Sequence, residues 1–219
     1  MSPPLPPTTA VADVLHIVGG GGVLSPPLRA FTPVAETIRG GAATVLLAPA
    51  DEEAGPMDML YERLDADLSG AVVVLAGAAD VAGAVWGQIL SRAAARSGAV
   101  AAAVDGCIRD RPLLPPEGLA VFGRSEATVG AIGLVRVVAV DVPVRVGATD
   151  VHPGDSVLVD DGGVVALERG RADEILECAR EYADAEDALL DDLARGVRLV
   201  EAYNHKRNAV RRIRERTAG

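Results

Sequence analysis

Arg109 and Asp110 stand side by side after Val104-Asp105-Gly106-Cys107-Ile108. An arginine grips a carboxylate through two parallel hydrogen bonds, and an aspartate is a hard oxygen ligand suited to Mg2+ or Mn2+. Together they could hold a small 2-oxo acid with its carbonyl against a cation. An intramolecular ion pair that closes a turn accounts for the same dipeptide, and the two residues alone leave both readings open. Their setting is a buried strand ending in a glycine turn, and the C-terminal edge of such strands is where α/β sheets place ligands.

Other chemistries find little support. The run Gly19 to Gly22 does not complete a GxGxxG, because the third glycine would fall at Leu24 or Ser25, and Pro26-Pro27 prevents a helix from opening there. It reads as a structural turn. There is no P-loop and no HExxH, and three scattered histidines make no metal cluster. Cys107 lies beside the Arg-Asp pair with no base nearby in sequence, so it reads as a packing residue. His152, before Pro153-Gly154, reads as a surface or interface residue.

The elements that must position the pair follow from the apolar pattern. Thr8-Thr9 offers an N-cap before a helix at Ala10 to Ile17. Ala43 to Leu47, Ala71 to Leu75, Val100 to Val104, Leu119 to Phe122 and Val135 to Val146 read as strands, and Met57 to Leu64 and Val85 to Ser97 as helices. Val151 to Asp155 turns into a strand at Ser156 to Val159, and Asp160-Asp161-Gly162-Gly163 forms a hairpin with Val164 to Leu167. From Arg171 onward the chain reads as helix, with Gly196 as a break. Leu190, Leu193, Val197 and Val200 form an apolar stripe there, and Arg207, Arg211, Arg212, Arg214 and Arg216 make the end basic.

With 219 residues, 49% of them hydrophobic but only 3% aromatic, the core must be built from Val, Leu, Ile and Ala. A net charge of −10 argues against DNA or RNA binding by the body of the protein. Two cysteines in no framework pattern, with no signal peptide in the first residues, predict a reducing, cytoplasmic setting. The longest apolar stretch, Ala71 to Leu90, contains Asp80 and several glycines, so no membrane span is expected.

The segment Leu75 to Leu90, the Ala93-Ala94-Ala95 helix and Val104-Asp105-Gly106 through Arg109-Asp110 resemble one continuous block of the RraA-like and 4-hydroxy-4-methyl-2-oxoglutarate aldolase family. Thr8 to Asp13, Val121-Phe122, Val142-Pro143-Val144, Val151 to Asp155 and the Asp160 to Val165 hairpin fit the same family. The resemblance implies an α/β chain with a swivelling-domain-like β/β/α layered fold. It covers an RraA-like domain at 8–182; the proline-rich residues 1–7 read as a disordered lead-in, and 183–219 lie beyond it as a C-terminal helical extension. It further implies a homotrimer or hexamer with sites in clefts between subunits.

By that resemblance, Arg109 holds a 2-oxo acid such as pyruvate, helped by Gly87 and by the backbone amides of Gln88, Ile89 and Leu90. Asp110 carries Mg2+ or Mn2+, and Glu181 or Glu186 of a neighbouring subunit could add an acid. The activity implied is a carbon–carbon lyase, either a pyruvate-releasing aldolase or an oxaloacetate-type decarboxylase. Two positions depart from the catalytic pattern. Relatives carry an acid where this chain has Gln88, and aldolase members carry another where it has Leu113. An amide can orient water but cannot exchange a proton at neutral pH. Recruitment to a pathway-specific reaction, or a non-catalytic role like that of the ribonuclease regulators of this family, is the alternative. The C-terminal helix is expected to pack on a neighbouring subunit or to dock a protein partner or RNA.

Overall fold

The computed structural model describes residues 4–25, 27–50, 57–114 and 118–217. In chain order the elements are α1 (Thr8–Ile17), β1 (Arg29–Ala30), β2 (Ile38–Pro49), α2 (Asp58–Asp65), β3 (Ala71–Ala76), β4 (Ala84–Trp86), α3 (Gln88–Arg96), β5 (Ala101–Val104), β6 (Cys107–Ile108), a 3-10 turn (Arg111–Leu113), β7 (Ala120–Gly123) and β8 (Ser125–Glu126). They continue with β9 (Val135–Val140), β10 (Val144–Val146), β11 (Thr149–Val151), β12 (Ser156–Asp160), β13 (Gly163–Leu167), α4 (Ala172–Ala194), α5 (Leu199–Ala202) and α6 (Asn204–Thr217).

Strands apolar on both faces must be covered on both sides. The main sheet runs β1-β7-β5-β3-β2-β12-β13, with β9 beside the end of β2. β2, β3, β5 and β7 are parallel to one another, and the flanking pairs are antiparallel. Period-2 alternation sorts their side chains. Val73, Leu75, Ala102 and Val104 face α2 and α3, while Val72, Val74, Ala101 and Ala103 face the β10–β11 hairpin. The result is the layered β/β/α arrangement expected, with C-terminal helices added at the β13 edge.

At that edge α1, α4 and α6 cover Leu158, Val165 and Leu167. The N-terminus of α1 is not capped by its own threonine side chain. Asp160, at the end of β12, does this from across the chain: it accepts from Thr8 N at 2.7 Å and also from Thr8 Oγ1. The cap therefore ties the first helix to the β12–β13 hairpin. Of the lead-in at 1–7, residues 1–3 lie outside the described residues. Pro4 to Pro7 carry no regular structure, with Pro6 buried and Leu5 against the helical cluster.

Each of the strands β3, β5 and β7 bends and continues into a short strand of a second, three-stranded parallel sheet, β4-β6-β8. Glycines stand at the bends: Gly77, Gly106 and Gly123. At Gly123 a Cβ would lie 2.4 Å from Ile108 Cγ1, so only glycine lets β7 pass β6 so closely. Buried Asp105 pairs with Arg124 across two of the bends and fixes their relative position.

This second sheet corrects the helix expected over Val85 to Ser97: Val85 and Trp86 are strand, and the helix begins at Gln88. Two- and three-residue strands exist only because non-local partners pair with them, and no local periodicity announces that. β2 likewise extends the expected Ala43 to Leu47 strand in both directions. The expected strand Val135 to Val146 is two strands, parted at Asp141, whose φ is +52°.

The stripe Leu190, Leu193, Val197 and Val200 does not form one buried face. α4 ends at Ala194, the chain turns at Gly196 with φ +82°, and Leu190, Leu193 and Val200 are exposed. Ala209 and Ile213 of α6 are buried, in contacts with α4 and α1 of the same chain. α4 also runs unbroken through residue 182, where the extension was expected to begin. Among the described residues no helix is long and apolar enough to cross a membrane.

Candidate active site

The second sheet delivers the sequence-predicted residues to one place. β4 ends at Trp86, whose carbonyl accepts the N–H of Arg109 at 3.0 Å. That bond sets the loop after β6 against the loop after β4. Trp86 is buried, and its indole N–H donates to Ser91 Oγ at 2.8 Å, pinning the corner between β4 and α3. The segment Val129 to Ala131 joins the far side of β4: Ala84 N donates to Val129 O and Ala131 N to Ala84 O. Gly130 is thereby brought to Arg109.

Arg109 passes between two glycines. A Cβ at Gly87 would lie 2.9 Å from Arg109 Cγ and 3.0 Å from Asp110 Oδ2. A Cβ at Gly130 would lie 2.9 Å from Arg109 Nη1. Gly87 is extended, a conformation open to any residue, so the requirement there is for space and not for φ. Asp110 has φ +62° and ψ +29°, in the left-handed region that aspartate tolerates better than most residues. Strained backbone of this kind gathers at functional sites. Leu113 N donates to Asp110 O at 2.7 Å and closes the turn behind it.

Arg109 Nε is 3.5 Å from Asp110 Oδ2, which is longer than an ordinary N–H···O hydrogen bond. The side chains are 39% and 34% exposed, so the pair touches loosely and both groups still face solvent. They line a niche of about 70 Å³ with Ala84, Val85, Trp86, Gly87, Ile89 and Leu90. A site for one water needs about 10–15 Å³, so the niche takes a small acid head group. The first intrahelical bond of α3 runs from Ser91 N to Gly87 O. The N–H groups of Gln88, Ile89 and Leu90 precede it and are available to an acceptor, as at any helix start.

Gln88 opens α3 and is half-buried, and Leu113 is exposed on the 3-10 turn. Glu181 and Glu186 are not brought to this niche within the chain. Glu181 accepts from Arg212 Nε at 2.5 Å and from Arg216 Nη2 at 2.6 Å, and Glu186 from Lys206 Nζ at 2.7 Å. Burial works to raise the Glu181 carboxyl, but the two guanidinium groups outweigh it and hold it below the usual range. Cys107 is half-buried, with Sγ 3.1 Å from Ser125 Oγ, and His152 is exposed in the turn that buried Asp155 braces.

Sequence reasoning missed Gly130 and the walls of a second cavity that opens from the niche. This cleft, of about 750 Å³, shares Ala84, Val85, Ile89, Leu90 and Arg109 with the niche and is otherwise walled mainly by apolar side chains. The signal was present in Val129-Gly130-Ala131-Ile132-Gly133. Ile132, 93% exposed, stands with exposed Val129, Leu134 and Ile89, and it is the group, not one residue, that marks the surface.

As to a metal, among the described residues no group of three or more His, Cys, Asp or Glu gathers to hold one. The described residues therefore form no dedicated protein cage. Mg2+ commonly retains several waters and takes only one or two carboxylates plus substrate oxygens. Asp110, partly exposed and beside the niche, fits that lighter mode of binding.

The RraA-like family model, described as aldolase/RraA, matches residues 8–166. A protein of Halalkalibacterium halodurans, provisionally named 4-hydroxy-4-methyl-2-oxoglutarate aldolase, is 26% identical over 200 residues, covering 91% of this chain and 90% of that one. Among solved structures, Streptomyces coelicolor RraAS2, described as an unusual member of the RNase ES inhibitor RraA protein family, superposes with a TM-score of 0.71. It is 26% identical and covers 82% of this chain and 88% of that one. An uncharacterized protein of Pseudomonas syringae superposes with a TM-score of 0.75 at 24% identity, over 90% of this chain and 92% of that one, which speaks to the fold.

Proposed function

The chain belongs to the RraA-like, aldolase/RraA family, and within it we propose that it is a divalent-metal-dependent carbon–carbon lyase acting on a 2-oxo acid. The observation that carries this reading is the Arg109 guanidinium, held between Gly87 and Gly130 at the mouth of a small niche that Asp110 also lines. A structural ion pair alone requires neither the two glycines nor the cavity. The aldolase-named relative supports the reaction class.

In this reading Arg109 takes the C1 carboxylate through its Nη edge, and the free N–H groups at the start of α3 hold the same end of the molecule. That leaves the C2 carbonyl toward Asp110. Asp110 would hold Mg2+ or Mn2+, which when bound would supply Lewis-acid stabilisation of negative charge on the C2 oxygen. The bond from C3 to the leaving carbon breaks, its electrons pass toward that oxygen, and C3 takes a proton from water as pyruvate is formed. In this reading Gln88 orients that water through its amide and cannot supply the proton itself. The proton at the leaving carbon's hydroxyl therefore departs to solvent or to a group from another subunit. Glu181 and Glu186 serve only if a neighbouring copy presents them free of their own arginines and lysine.

A homotrimer or hexamer follows from the same resemblance. Support comes from the exposed apolar side chains Val129, Ile132 and Leu134 around the site, more than a monomer leaves uncovered without cause.

The test is to incubate the full chain with Mg2+ and oxaloacetate, following pyruvate, and to follow exchange of the pyruvate methyl protons in D2O. Arg109→Ala is expected to lower the protein-dependent rate of either process by at least about a hundredfold, in keeping with loss of a charged anchor. No rate above that of metal alone in both processes, oxaloacetate turnover and exchange of the pyruvate protons, with Arg109→Ala indistinguishable from the native chain, overturns the proposal. A second reading, a binding protein of the ribonuclease-regulator type, is favoured by one observation: Gln88 and Leu113 leave the niche without a second acid. Recovery of a ribonuclease by the native chain, undiminished by Arg109→Ala, would establish it.

A further inference from the structure

We propose that the molecule this site accepts carries an apolar group, an alkyl or aryl chain of several carbons, beyond its 2-oxo acid head, and no second carboxylate. The inference rests on the reading of Arg109 as the group that holds the head.

Niche and cleft are continuous, sharing five residues, and Arg109 stands at their junction. A 2-oxo acid anchored by its C1 carboxylate in the niche must send its C4 end somewhere, and the open volume adjoining Arg109 is the cleft. Its further walls include Met57 and Leu64 on the side of α2, Ala93 of α3, and Val135. These walls gain by covering an apolar chain, roughly in proportion to the area removed from water.

Charge points the same way. Among the described residues that line the cleft, Arg109 is the sole cation and Asp65 the sole anion. Asp65 pairs with Arg96 of α3, which does not line the cleft. A second carboxylate on the substrate would find no cationic partner among the described residues of these walls and would approach Asp65, an unfavourable like-charge contact. Leu113 in place of an acid makes the neighbourhood of Asp110 less polar still.

The bond chemistry is unchanged by this choice. For a 4-hydroxy-2-oxo acid with an apolar substituent, the C3–C4 bond breaks, C4 becomes an aldehyde as its hydroxyl loses a proton, and C3 gains a proton to give pyruvate. Atoms and electrons balance with no further reactant.

Calorimetric titration of the full chain with Mg2+ and a graded series tests the proposal: pyruvate, 2-oxobutanoate, 2-oxohexanoate and 2-oxooctanoate, against oxaloacetate and 2-oxoglutarate. Affinity is expected to rise about two- to fourfold per methylene, so that 2-oxooctanoate binds at least about tenfold more tightly than pyruvate, with 2-oxoglutarate weaker than 2-oxohexanoate. Ala93→Phe, which fills the cleft from α3, is expected to cancel the gain with chain length, with its circular dichroism and Tm showing that the variant is folded. If pyruvate binds, and Arg109→Ala abolishes its binding, but affinity is flat along the series or highest for the dicarboxylates, the inference fails while the lyase reading stands. If none of the acids binds, both fall.

Discussion

At the scale of single residues, the site depends on what is absent as much as on what is present. Gly87 and Gly130 leave room for one arginine side chain, and that room fixes where its charge ends. Gly87→Ala places a methyl 2.9 Å from Arg109 Cγ and 3.0 Å from Asp110 Oδ2. Backbone strain does not enter, because Gly87 is extended, so the cost is overpacking of roughly 1–3 kcal/mol. Much of it can be relieved by rotating the arginine out of the niche. Calorimetry is expected to show pyruvate affinity reduced by about tenfold or more, while Tm falls by only a few degrees. Gly41→Ala, with nothing within 4 Å of the added Cβ, should change neither. Equal loss of binding in both variants would mean that Gly87 is no part of a cradle. Arg109 and Asp110 were legible from sequence because their side chains carry distinctive chemistry after a glycine turn. Gly130 was not, since a glycine states its purpose only once its neighbour is known. Ile132 was a visible clue, an apolar residue between glycines, but its partners across the cleft are remote in sequence.

At the scale of elements, the C-terminal helix is held by charge as well as by Ala209 and Ile213. Its Arg212 and Arg216 converge on Glu181, and its Lys206 on Glu186 of α4. The basic end that suggested a docking tail is thus engaged in part by the acidic helix beside it. Glu181 sits below its ordinary value of 4.5, so its stabilising contribution is fully present above that pH and is lost as pH falls through the depressed value. Hydrogen exchange, corrected for intrinsic rates, is expected to show the α6 amides losing protection as pH falls below 4.5 while β3 and β5 stay protected. Glu181→Gln should weaken α6 at neutral pH and flatten that dependence; an α6 no less protected in this variant would refute the role given to Glu181. The elements legible in sequence were those with long local patterns: β3 and β5 as unbroken apolar runs, the β12–β13 hairpin by its paired glycines, and α4. Those missed owe their existence to distant partners. β4 is strand because β6 and Val129 to Ala131 pair with it, and the chain from Leu190 to Val200 lost its single face because Gly196 turns it.

At the scale of the whole molecule, binding and helical packing lie at opposite ends of one sheet. The niche grows from the ends of β3, β5 and β7, and the helices α1, α4 and α6 cover β12 and β13, beyond β2. Disturbing one end should therefore leave the other largely intact, as expected of sites joined only through a rigid sheet. A chain ending at Arg195 lacks α5 and α6 but keeps α4 against α1 and β13. It loses the burial of Ile213 and Ala209 and the ion pairs of Glu181 and Glu186, together about 3 kcal/mol. For a chain of this size that corresponds to a Tm lower by about 6–12 °C. Pyruvate affinity should be unchanged, and light scattering should give the same number of copies as for the full chain, because the apolar rim of Val129, Ile132 and Leu134 is untouched. A shortened chain that is monomeric would move the contact between copies from the site's rim to the helical end. One that keeps its mass but no longer binds pyruvate would mean that the helices reach a neighbour's niche, and the two ends of the fold would then be parts of one site.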